Sequence, residues 1–457
     1  MREADALGLE PELMRELGYW VVDQVVDHVS TLDQRPAITT GTVAELKDRL
    51  AGPMPEAPGD AREALRELAT TALTNMQHLD HPRYFARVPG PSSFTAILGE
   101  WLATGFNSVA TSWAGGSGTT TVELAVIAWL QELIGLPWQG EGLLVSGGSI
   151  ANMTALAAAR NERGPGIAYL SDQAHSSIAR ALYAIGFTDE QVRILPSGPD
   201  LKLAPITVNE AIAADLASGR KPRFLIASAG TTNTGTVDPL PELAELCERH
   251  GLWFHVDGAY GAPAAACPGG RKALAGLDRA DSLVVDPHKW LFQPVDAGCL
   301  LIRHPGVLER AFTMEPEYLR DVRGGGDEVD LRNRTLELTR RSRALKLWLT
   351  FKVHGASGLR SAIARGIELA EHAAAVIATD HRWELVTPAQ LGVVTFALRE
   401  ANPGEHARRA AALTADGFAA VSSTELNRRS VLRLCTLNPR TTEVDIEQTL
   451  DWLANCS

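Results

Sequence analysis

The stretch SLVVDPHKW, residues 282–290, decides how the rest of the sequence is interpreted. Its first four residues predict a short buried strand, Ser282–Val285, which Asp286 and Pro287 end. Lys289 then falls at the carboxyl end of a strand, the edge at which open α/β sheets bind ligands. A lysine beside a strand is more often a surface residue, but a buried ammonium group must be neutralised, paired or covalently used. For this lysine taken alone, both interpretations stay open.

A carboxylate follows the preceding predicted strand, Trp253–Val256, which ends in Asp257 within HVDGAY (255–260). A carboxylate at a strand end holds a pyridine nitrogen protonated, and the protonated ring becomes an electron sink. As a single residue, Asp257 is more often a helix cap or a turn residue. Its place relative to Lys289 is what favours the functional interpretation.

Two polar loops after other predicted strands carry groups that suit a phosphate. SGGS (146–149) lies between the strand Gly142–Val145 and a helix predicted over Ala151–Arg160. Glycines let the backbone approach closely, and the free N–H groups of a helix N-terminus attract anions. GTTNTG (230–235) follows the strand Phe224–Ala227 and adds hydroxyl groups. Each loop by itself is also compatible with an ordinary polar connection.

His175 follows the predicted strand Ile167–Leu170, within SDQAHSS (171–177). An imidazole there is able to stack on an aromatic cofactor and to transfer protons, although an isolated histidine is more often structural. With Lys289, Asp257 and the loop containing Gly148 and Ser149, it predicts one cofactor, pyridoxal 5'-phosphate (PLP). The aldehyde would be bound to Lys289, the ring nitrogen to Asp257 and the phosphate to the loop.

The wider pattern predicts an α/β protein with a mostly parallel sheet. Apolar runs, including Cys299–Ile302, alternate with helical stretches such as Pro241–His250, which is typical of a sheet covered on both faces. A long helical region, Arg343–Val376, is followed by an α+β tail with strands Val393–Leu398 and Val431–Leu437 and a closing helix, Val444–Leu453. The chain of 457 residues suffices for about two or three domains.

Composition narrows the class of partner. A net charge of −12 argues against nucleic acid or an anionic membrane as the main partner, because both attract basic surfaces. No apolar run reaches the ~18–20 residues of a membrane span. The five cysteines lack CxxC spacing and the charged N-terminus lacks a signal-peptide core, so we expect reduced thiols, no metal site and a cytoplasmic location.

The N-terminal segment predicts helices that need a partner surface. Apolar residues recur every fourth position from Leu13 to Val29, and PMPEAPG (53–59) separates this helix from a second helical run, Ala61–Leu79. Neither helix is apolar enough to form a core alone. We expect both to pack on a larger body or on a second subunit.

Seven stretches, taken together, resemble the group II PLP-dependent amino-acid decarboxylases, the family of aromatic-L-amino-acid decarboxylase. The stretches are HPRYFARVPGPSS (81–93), SWAGGSGTTTVEL (112–124), SGGSIANMTALAAAR (146–160), SDQAHSSIARA (171–181), HVDGAYGAPAAACP (255–268), DPHKWL (286–291) and RRSRALKLW (340–348). The resemblance implies the aspartate-aminotransferase-like fold type I. Its parts would be an N-terminal helical arm (1–92), a large PLP-binding domain (93–352) and a small C-terminal α+β domain (353–457). It also implies a homodimer with active sites at the interface.

The resemblance implies a role for each matching residue. Lys289, His175 and Asp257 would be catalytic: Lys289 would carry the Schiff base, Asp257 would bind the ring nitrogen and His175 would stack on the ring. The other predicted cofactor-binding residues are Ala259 on the opposite ring face, Gly148, Ser149 and His288 around the phosphate, and Thr231 near the cofactor. The implied reaction is decarboxylation of an L-amino acid to the corresponding amine and CO2.

Leu331 departs from the family pattern. In the aromatic decarboxylases a tyrosine on a mobile loop supplies a proton, and counting back from RRSRALK places Leu331 there. Leucine cannot donate a proton, so either another group such as His175 does so, or the reaction is diverted to oxidative deamination giving an aldehyde, to transamination or to another lyase reaction. A gap across the exposed, mobile loop predicted at Gly324–Gly326 would change this match. The nearest tyrosine, Tyr318, precedes that loop.

Two further departures concern the substrate and the phosphate. The aromatic side chains expected around the substrate are absent, since the matching positions are Leu79, Arg87, Val88, Val109 and Thr111. We therefore predict a substrate other than a large aromatic amino acid, bound by Arg87, Pro89, Val109 and Thr111. Arg87 would bind a carboxylate, or it is a solvated surface residue. Asp286 replaces an asparagine near the phosphate, which repels the anion unless the carboxylate turns away or caps a backbone group.

Overall fold

The computed structural model describes residues 7–314, 317 and 325–456. Two sheets and the helices around them make up these residues. The helices are α1 (Pro11–Thr31), α2 (Val43–Leu50), α3 (Ala61–Glu67), α4 (Phe94–Gly105), α5 (Trp113–Ile134), α6 (Gly148–Arg163), α7 (Ser176–Ala184), α8 (Pro205–Ala217), α9 (Leu240–His250), α10 (Pro268–Ala273), α11 (Pro287–Trp290), α12 (Val307–Phe312), α13 (Ala344–Thr379), α14 (Glu405–Asp416) and α15 (Glu443–Asn455). The strands are β1 (Glu141–Val145), β2 (Ile167–Ser171), β3 (Val192–Leu195), β4 (Pro222–Ser228), β5 (Trp253–Asp257), β6 (Ser282–Val285), β7 (Gly298–Ile302), β8 (Trp383–Gln390), β9 (Val393–Leu398), β10 (Ser422–Leu426) and β11 (Arg429–Cys435).

The larger sheet has seven strands in the order β1-β7-β6-β5-β4-β2-β3. Strands β6, β5, β4, β2 and β3 are parallel to one another, and β7 is antiparallel to both β1 and β6. The predicted mostly parallel sheet is thereby confirmed, and all six predicted strands of this region occur. The unpredicted strand β3 lies at the edge, where its charged and partly exposed residues give no continuous apolar run.

Helices cover both faces of this sheet because alternate strand residues point to opposite sides. In β4, Leu225 and Ala227 join the core formed with α5 and α9, whereas Phe224 and Ile226 join the core formed with α6. Burial on both faces explains why the central strands read as nearly continuous apolar runs. The carboxyl ends of the parallel strands are left free to carry polar groups.

The smaller sheet is antiparallel, in the order β10-β11-β9-β8, and packs against α13, α14 and α15. Helix α13 is kinked at Gly355, whose φ of 65° is left-handed. The boundary between residues 352 and 353 falls inside this helix, next to the kink, and stays a prediction. Strands β8 and β10 were not predicted from the sequence, because most of their residues are polar or half-exposed.

The N-terminal region corrects one prediction. The helical run expected over Ala61–Leu79 ends early: α3 stops at Glu67 and a π-helical turn follows over Leu68–Ala72. The hydroxyls of Thr70 and Thr74 bond back to the carbonyls four residues earlier, a pattern that bends or weakens helices. Helix α1 has no fully buried residue, and its apolar stripe from Leu13 to Val29 is half-buried in the single chain. Among the described residues, no helix combines the length and apolar character needed to cross a membrane.

Candidate active site

One cavity of about 370 Å³ opens at the carboxyl edge of the large sheet. The residues predicted to bind the cofactor all line it: Gly148, Ser149, His175, Thr231, Asp257, Ala259, His288 and Lys289. They come from five separate segments of the chain, which the parallel strands bring to one edge. Their convergence was not contained in any single motif.

Asp257 ends β5 at the floor of the cavity and is 8% exposed. Its Oδ1 accepts a hydrogen bond from the Ala259 N–H at 3.1 Å, and its Oδ2 accepts one from Asn152 Nδ2 at 3.2 Å. These two donors fix the orientation of the carboxylate at the cavity. The residue is therefore suited to hold a cationic partner in the cavity.

Lys289 lies on the single turn of α11, and its Nζ is 2.9 Å from Asp286 Oδ2. Burial lowers the pKa of Lys289, but the charge and hydrogen bond of Asp286 outweigh burial, so the pKa is raised. Asp286 is 2% exposed, and its second oxygen, Oδ1, has no hydrogen-bond partner. The carboxylate therefore turns toward the lysine and caps no backbone group of α11.

The loop before α6 is shaped by close backbone packing. A Cβ on Gly298 would lie 2.5 Å from the Gly147 Cα, and one on Gly148 would lie 2.7 Å from Asp286 Oδ2. Small residues thus let the N-terminus of α6 face the cavity, where its free N–H groups attract an anion. His288 adds a donor: its Nδ1 accepts the Ala297 N–H at 3.0 Å, which leaves the proton on Nε2. Burial lowers the pKa of His288, which keeps the ring neutral.

His175 caps α7 from the opposite side of the cavity. Its Nδ1 accepts the Ser177 backbone N–H at 3.3 Å and lies 2.8 Å from Ser177 Oγ. This pairing assigns the ring proton to Nε2. The exposed imidazole lines the cavity and presents a transferable proton there.

Thr231 belongs to a chain of buried hydroxyls. Its Oγ1 is 2.9 Å from that of Thr234, which is 2.7 Å from that of Thr236. Below this loop, Tyr260 stacks on Trp290 with ring centroids 5.3 Å apart, and its hydroxyl accepts the Gly392 N–H at 2.7 Å. This stack joins the two motifs HVDGAY and DPHKW through side chains.

Four cavity residues were not singled out from the sequence, namely Asn152, Ser177, Ser228 and Tyr260. Ser177 and Tyr260 stand inside quoted motifs, so their neighbours were a signal. Asn152 follows the glycine loop by one helical turn, a place at which a polar side chain returns to the loop. Ser228 ends β4 and has no comparable signal.

The predicted substrate residues do not line the cavity of the single chain. Arg87 is exposed and its guanidinium donates to Gln77 Oε1 at 2.8 Å. Val109 forms a bridge with Arg341, and the Thr111 carbonyl accepts the Arg332 N–H at 2.9 Å. Pro89 is nearest to the site, since the following Gly90 packs against the His288 carbonyl.

Leu331 is completely buried, in a 3-10 turn within the core on the α6 side of the sheet. The side chain of this leucine fills the core and does not line the cavity of the single chain. Its match to the loop tyrosine stays a prediction. The flanking residues hold it there: Asp330 Oδ1 accepts the Trp113 N–H, and the Arg332 N–H donates to Thr111. Tyr318 and Gly324 lie outside the described residues, and Gly325 and Gly326 are exposed.

The residues present fit PLP. A carboxylate, a lysine amine and a glycine cradle with Nε2–H of His288 occupy one cavity, which matches a ring nitrogen, an aldehyde and a phosphate. Asp286 is the one group at odds with a phosphate, and its pairing with Lys289 neutralises part of its charge. The imidazole of His175 lines the same cavity and is able to lie against a ring.

Comparison with known proteins agrees with this geometry. Residues 44–399 match the family model described as the pyridoxal-dependent decarboxylase conserved domain. The chain is 42% identical to an aromatic-L-amino-acid decarboxylase of Bacillus atrophaeus, covering 97% of this chain and 95% of the relative. It is 34% identical to a phenylacetaldehyde synthase of Petunia hybrida, covering 85% of this chain and 80% of the relative.

A solved structure is also close. The tryptophan decarboxylase (TDC) of Oryza sativa, crystallised with PLP and tryptamine, superposes with a TM-score of 0.92 at 28% identity, covering 97% of both chains. The two-sheet architecture is thus that of fold type I, as predicted. The chain belongs to the pyridoxal-dependent decarboxylase family and is an amino-acid decarboxylase whose cofactor is PLP.

Proposed function

We propose that this protein converts an L-amino acid to the corresponding amine and CO2, with Lys289 holding the cofactor. The observation that carries the proposal is the convergence of Lys289, Asp257, His175 and the Gly148 loop on one cavity. When bound, PLP supplies an electron sink for the pair of electrons that the departing carboxylate leaves on the substrate. The remaining chemistry falls to side chains.

Three side chains divide the work in this proposal. Asp257, whose carboxylate is held by Asn152 and Ala259, would pair with the ring nitrogen of the cofactor. His175 presents Nε2–H at the cavity and would supply the proton that replaces the carboxylate on the substrate carbon. Lys289 would hold the cofactor through its amine.

The substrate is proposed from two opposed observations. The lack of aromatic side chains at Leu79, Arg87, Val88, Val109 and Thr111 supports a substrate that is not a large aromatic amino acid. The names of the Bacillus and rice relatives support an aromatic one. Arg87 is engaged with Gln77, which weakens the argument for an acidic substrate. The first proposal predicts that leucine-sized or acidic substrates are used before tryptophan and tyrosine, and the second predicts the reverse.

We propose further that the working enzyme is a homodimer. Large apolar side chains remain exposed on α1, on α4 and before α13, including Tyr19, Leu102, Phe106 and Leu336. The predicted substrate residues stand outside the single-chain cavity, so a second chain is needed to complete its outer wall. Sedimentation velocity measures this directly, and a monomer with full activity would contradict it.

Aldehyde formation is the second candidate. The position matched to the loop tyrosine holds a leucine, Leu331, and a relative is named phenylacetaldehyde synthase. Loss of CO2 followed by oxidation with O2 and water would release the aldehyde, ammonia and hydrogen peroxide. Proton delivery by His175 instead favours the amine.

One experiment tests both candidates. The PLP-loaded enzyme is given each L-amino acid in turn, and CO2, amine, aldehyde, ammonia and peroxide are measured together. Equal amounts of CO2 and amine support decarboxylation, and peroxide with ammonia supports the second candidate. Turnover without CO2 would refute both. Lys289→Ala is the control and should retain the fold while losing all products; near-normal turnover by it would contradict the role of the lysine.

A further inference from the structure

A buried line of polar side chains runs behind the cavity wall, and we call it the Asn152 network: Trp253, Ser282, His255, Asn152 and Ser177. Trp253 Nε1 is 2.8 Å from Ser282 Oγ, which is 2.8 Å from His255 Nδ1. His255 Nε2 is 2.9 Å from Asn152 Oδ1. The members are at most 5% exposed, so each polar atom needs a partner inside the protein.

Trp253 Nε1 only donates, so Ser282 accepts from it. With Asn152 Nδ2 facing Asp257 and Oδ1 facing His255, every contact of the network is paired when Ser282 gives its own hydroxyl proton to His255 Nδ1. His255 then carries its ring proton on Nε2 and donates to Asn152 Oδ1, which only accepts. Burial lowers the pKa of His255 to about 4, against a smaller opposite effect of Asp257, so the ring stays neutral.

Asn152 connects this network to two residues of the cavity. Its Nδ2 has two protons, and it lies 3.2 Å from Asp257 Oδ2 and 3.1 Å from Ser177 Oγ. Ser177, having accepted one proton, directs its own hydroxyl to His175 Nδ1 at 2.8 Å. The result is an Asp257 carboxylate held in one orientation and a His175 that carries its ring proton on Nε2.

We propose that Asn152, oriented by His255, is a positioning residue that fixes the orientation of the Asp257 carboxylate and the tautomer of His175 at the same time. A flipped amide would turn its oxygen toward the Asp257 carboxylate and leave His255 Nε2–H facing an N–H group. Both contacts would be unfavourable in a buried site, so the flip is suppressed. The inference rests on the proposed roles of Asp257 and His175.

The test uses Asn152→Leu, which keeps the shape and removes both donors. Asn161→Leu on the exposed side of the same helix is the matched control, since Asn161 has only a 3.4 Å contact to the Arg310 carbonyl. Nitrogen-15 spectra of histidine-labelled protein without cofactor report the tautomer of His175. We expect a single Nε2–H tautomer in wild type and in Asn161→Leu, and a mixture of tautomers in Asn152→Leu.

The loaded enzyme gives the second readout. Loss of a hydrogen bond to a charged group corresponds to a change of roughly 10- to 100-fold in an equilibrium or rate constant. We expect a decrease of this size in the kcat of Asn152→Leu. Its KM should change less than about 3-fold, because no substrate contact is removed. His255→Gln should restore most of the activity that His255→Leu loses, since a glutamine amide N–H is able to donate to Asn152 Oδ1. This pair of variants serves equally if Asn152→Leu does not fold.

An unchanged His175 tautomer in Asn152→Leu, or equal activity of the two His255 variants, would overturn the inference. Asp257→Asn separates this failure from that of the proposed function. If Asp257→Asn is inactive while Asn152→Leu is normal, only the positioning role is wrong. If both variants are normal, the role proposed for Asp257 fails as well.

Discussion

Replacing Leu331 by alanine is expected to destabilise the protein strongly, although the residue stands where a catalytic loop residue was expected from the sequence. Leu331 is 0% exposed and shares a core with Ala110, Val284 and Leu300. Leucine-to-alanine changes in such cores cost about 3 to 5 kcal/mol, depending on how far the surroundings collapse. The hydrogen bonds of the flanking Asp330 and Arg332 hold the backbone in place, so the cavity persists and the upper half of that range applies.

Urea unfolding, followed by tryptophan fluorescence, measures the loss in the free energy of unfolding. Leu216→Ala is the matched control, because Leu216 is 51% exposed on α8, and it should change the free energy by less than about 0.5 kcal/mol. Leu331→Tyr should also destabilise, by about 1 to 3 kcal/mol through overpacking, without increasing amine formation. A Leu331→Ala protein as stable as the control, or a Leu331→Tyr protein with enhanced amine yield, would refute the core position.

Three further predictions concern buried ionisable side chains. Glu123 and Arg340 form an ion pair that is completely buried, so Glu123→Ala should lower the free energy of unfolding by about 3 to 5 kcal/mol. Glu384 and Arg429 form an exposed pair, so the control Glu384→Ala should lower it by less than about 1 kcal/mol. Equal losses in the two variants, measured by urea unfolding, would contradict this prediction. Burial lowers the pKa of His81 from 6.5 to about 4, so the unfolded chain binds one more proton between these values and stability falls as the pH drops from 6.5 to 4. His81→Gln should reduce that slope by up to about 1.4 kcal/mol per pH unit, and an unaltered slope would disprove it. Asp286→Asn should lower the pKa of Lys289, because burial remains while the attraction to Asp286 is lost. The pH midpoint for acylation of Lys289 in cofactor-free protein should then shift to lower pH. An unchanged midpoint would count against the pairing of Lys289 with Asp286.

Most of the fold could be predicted because its signals are local. Six strands of the large sheet are short apolar runs with polar residues at their ends, and burial on both faces makes such runs stand out. The strands that escaped, β3, β8 and β10, are edge or half-exposed strands whose residues alternate or mix with polar ones. The early end of the helix after Glu67 depended on threonine hydroxyls competing for backbone carbonyls, a weaker signal than the apolar stripe.

The cofactor site was predictable for a related reason. Each of its residues stands beside a strand end, and parallel strands carry their carboxyl ends to one edge whatever lies between them in sequence. The positions of the predicted substrate residues could not be derived in this way, because Arg87, Val109 and Thr111 are held by contacts with other segments of the chain. The burial of Leu331 could not be predicted either, because its match to a loop position contains no information about the core in which it lies.

The amino-acid order alone was sufficient for the α/β class, for six strands of the large sheet and for the eight predicted residues that line one cavity, since apolar runs and strand-end motifs need only neighbouring residues. Side-chain partners were settled by folding: Asp286 with Lys289, Asn152 with Asp257, Tyr260 with Trp290. Each pair joins atoms whose separation depends on how the strands and helices pack, to within a few tenths of an ångström. Such distances arise from the whole packed core, and no local pattern of residues encodes them.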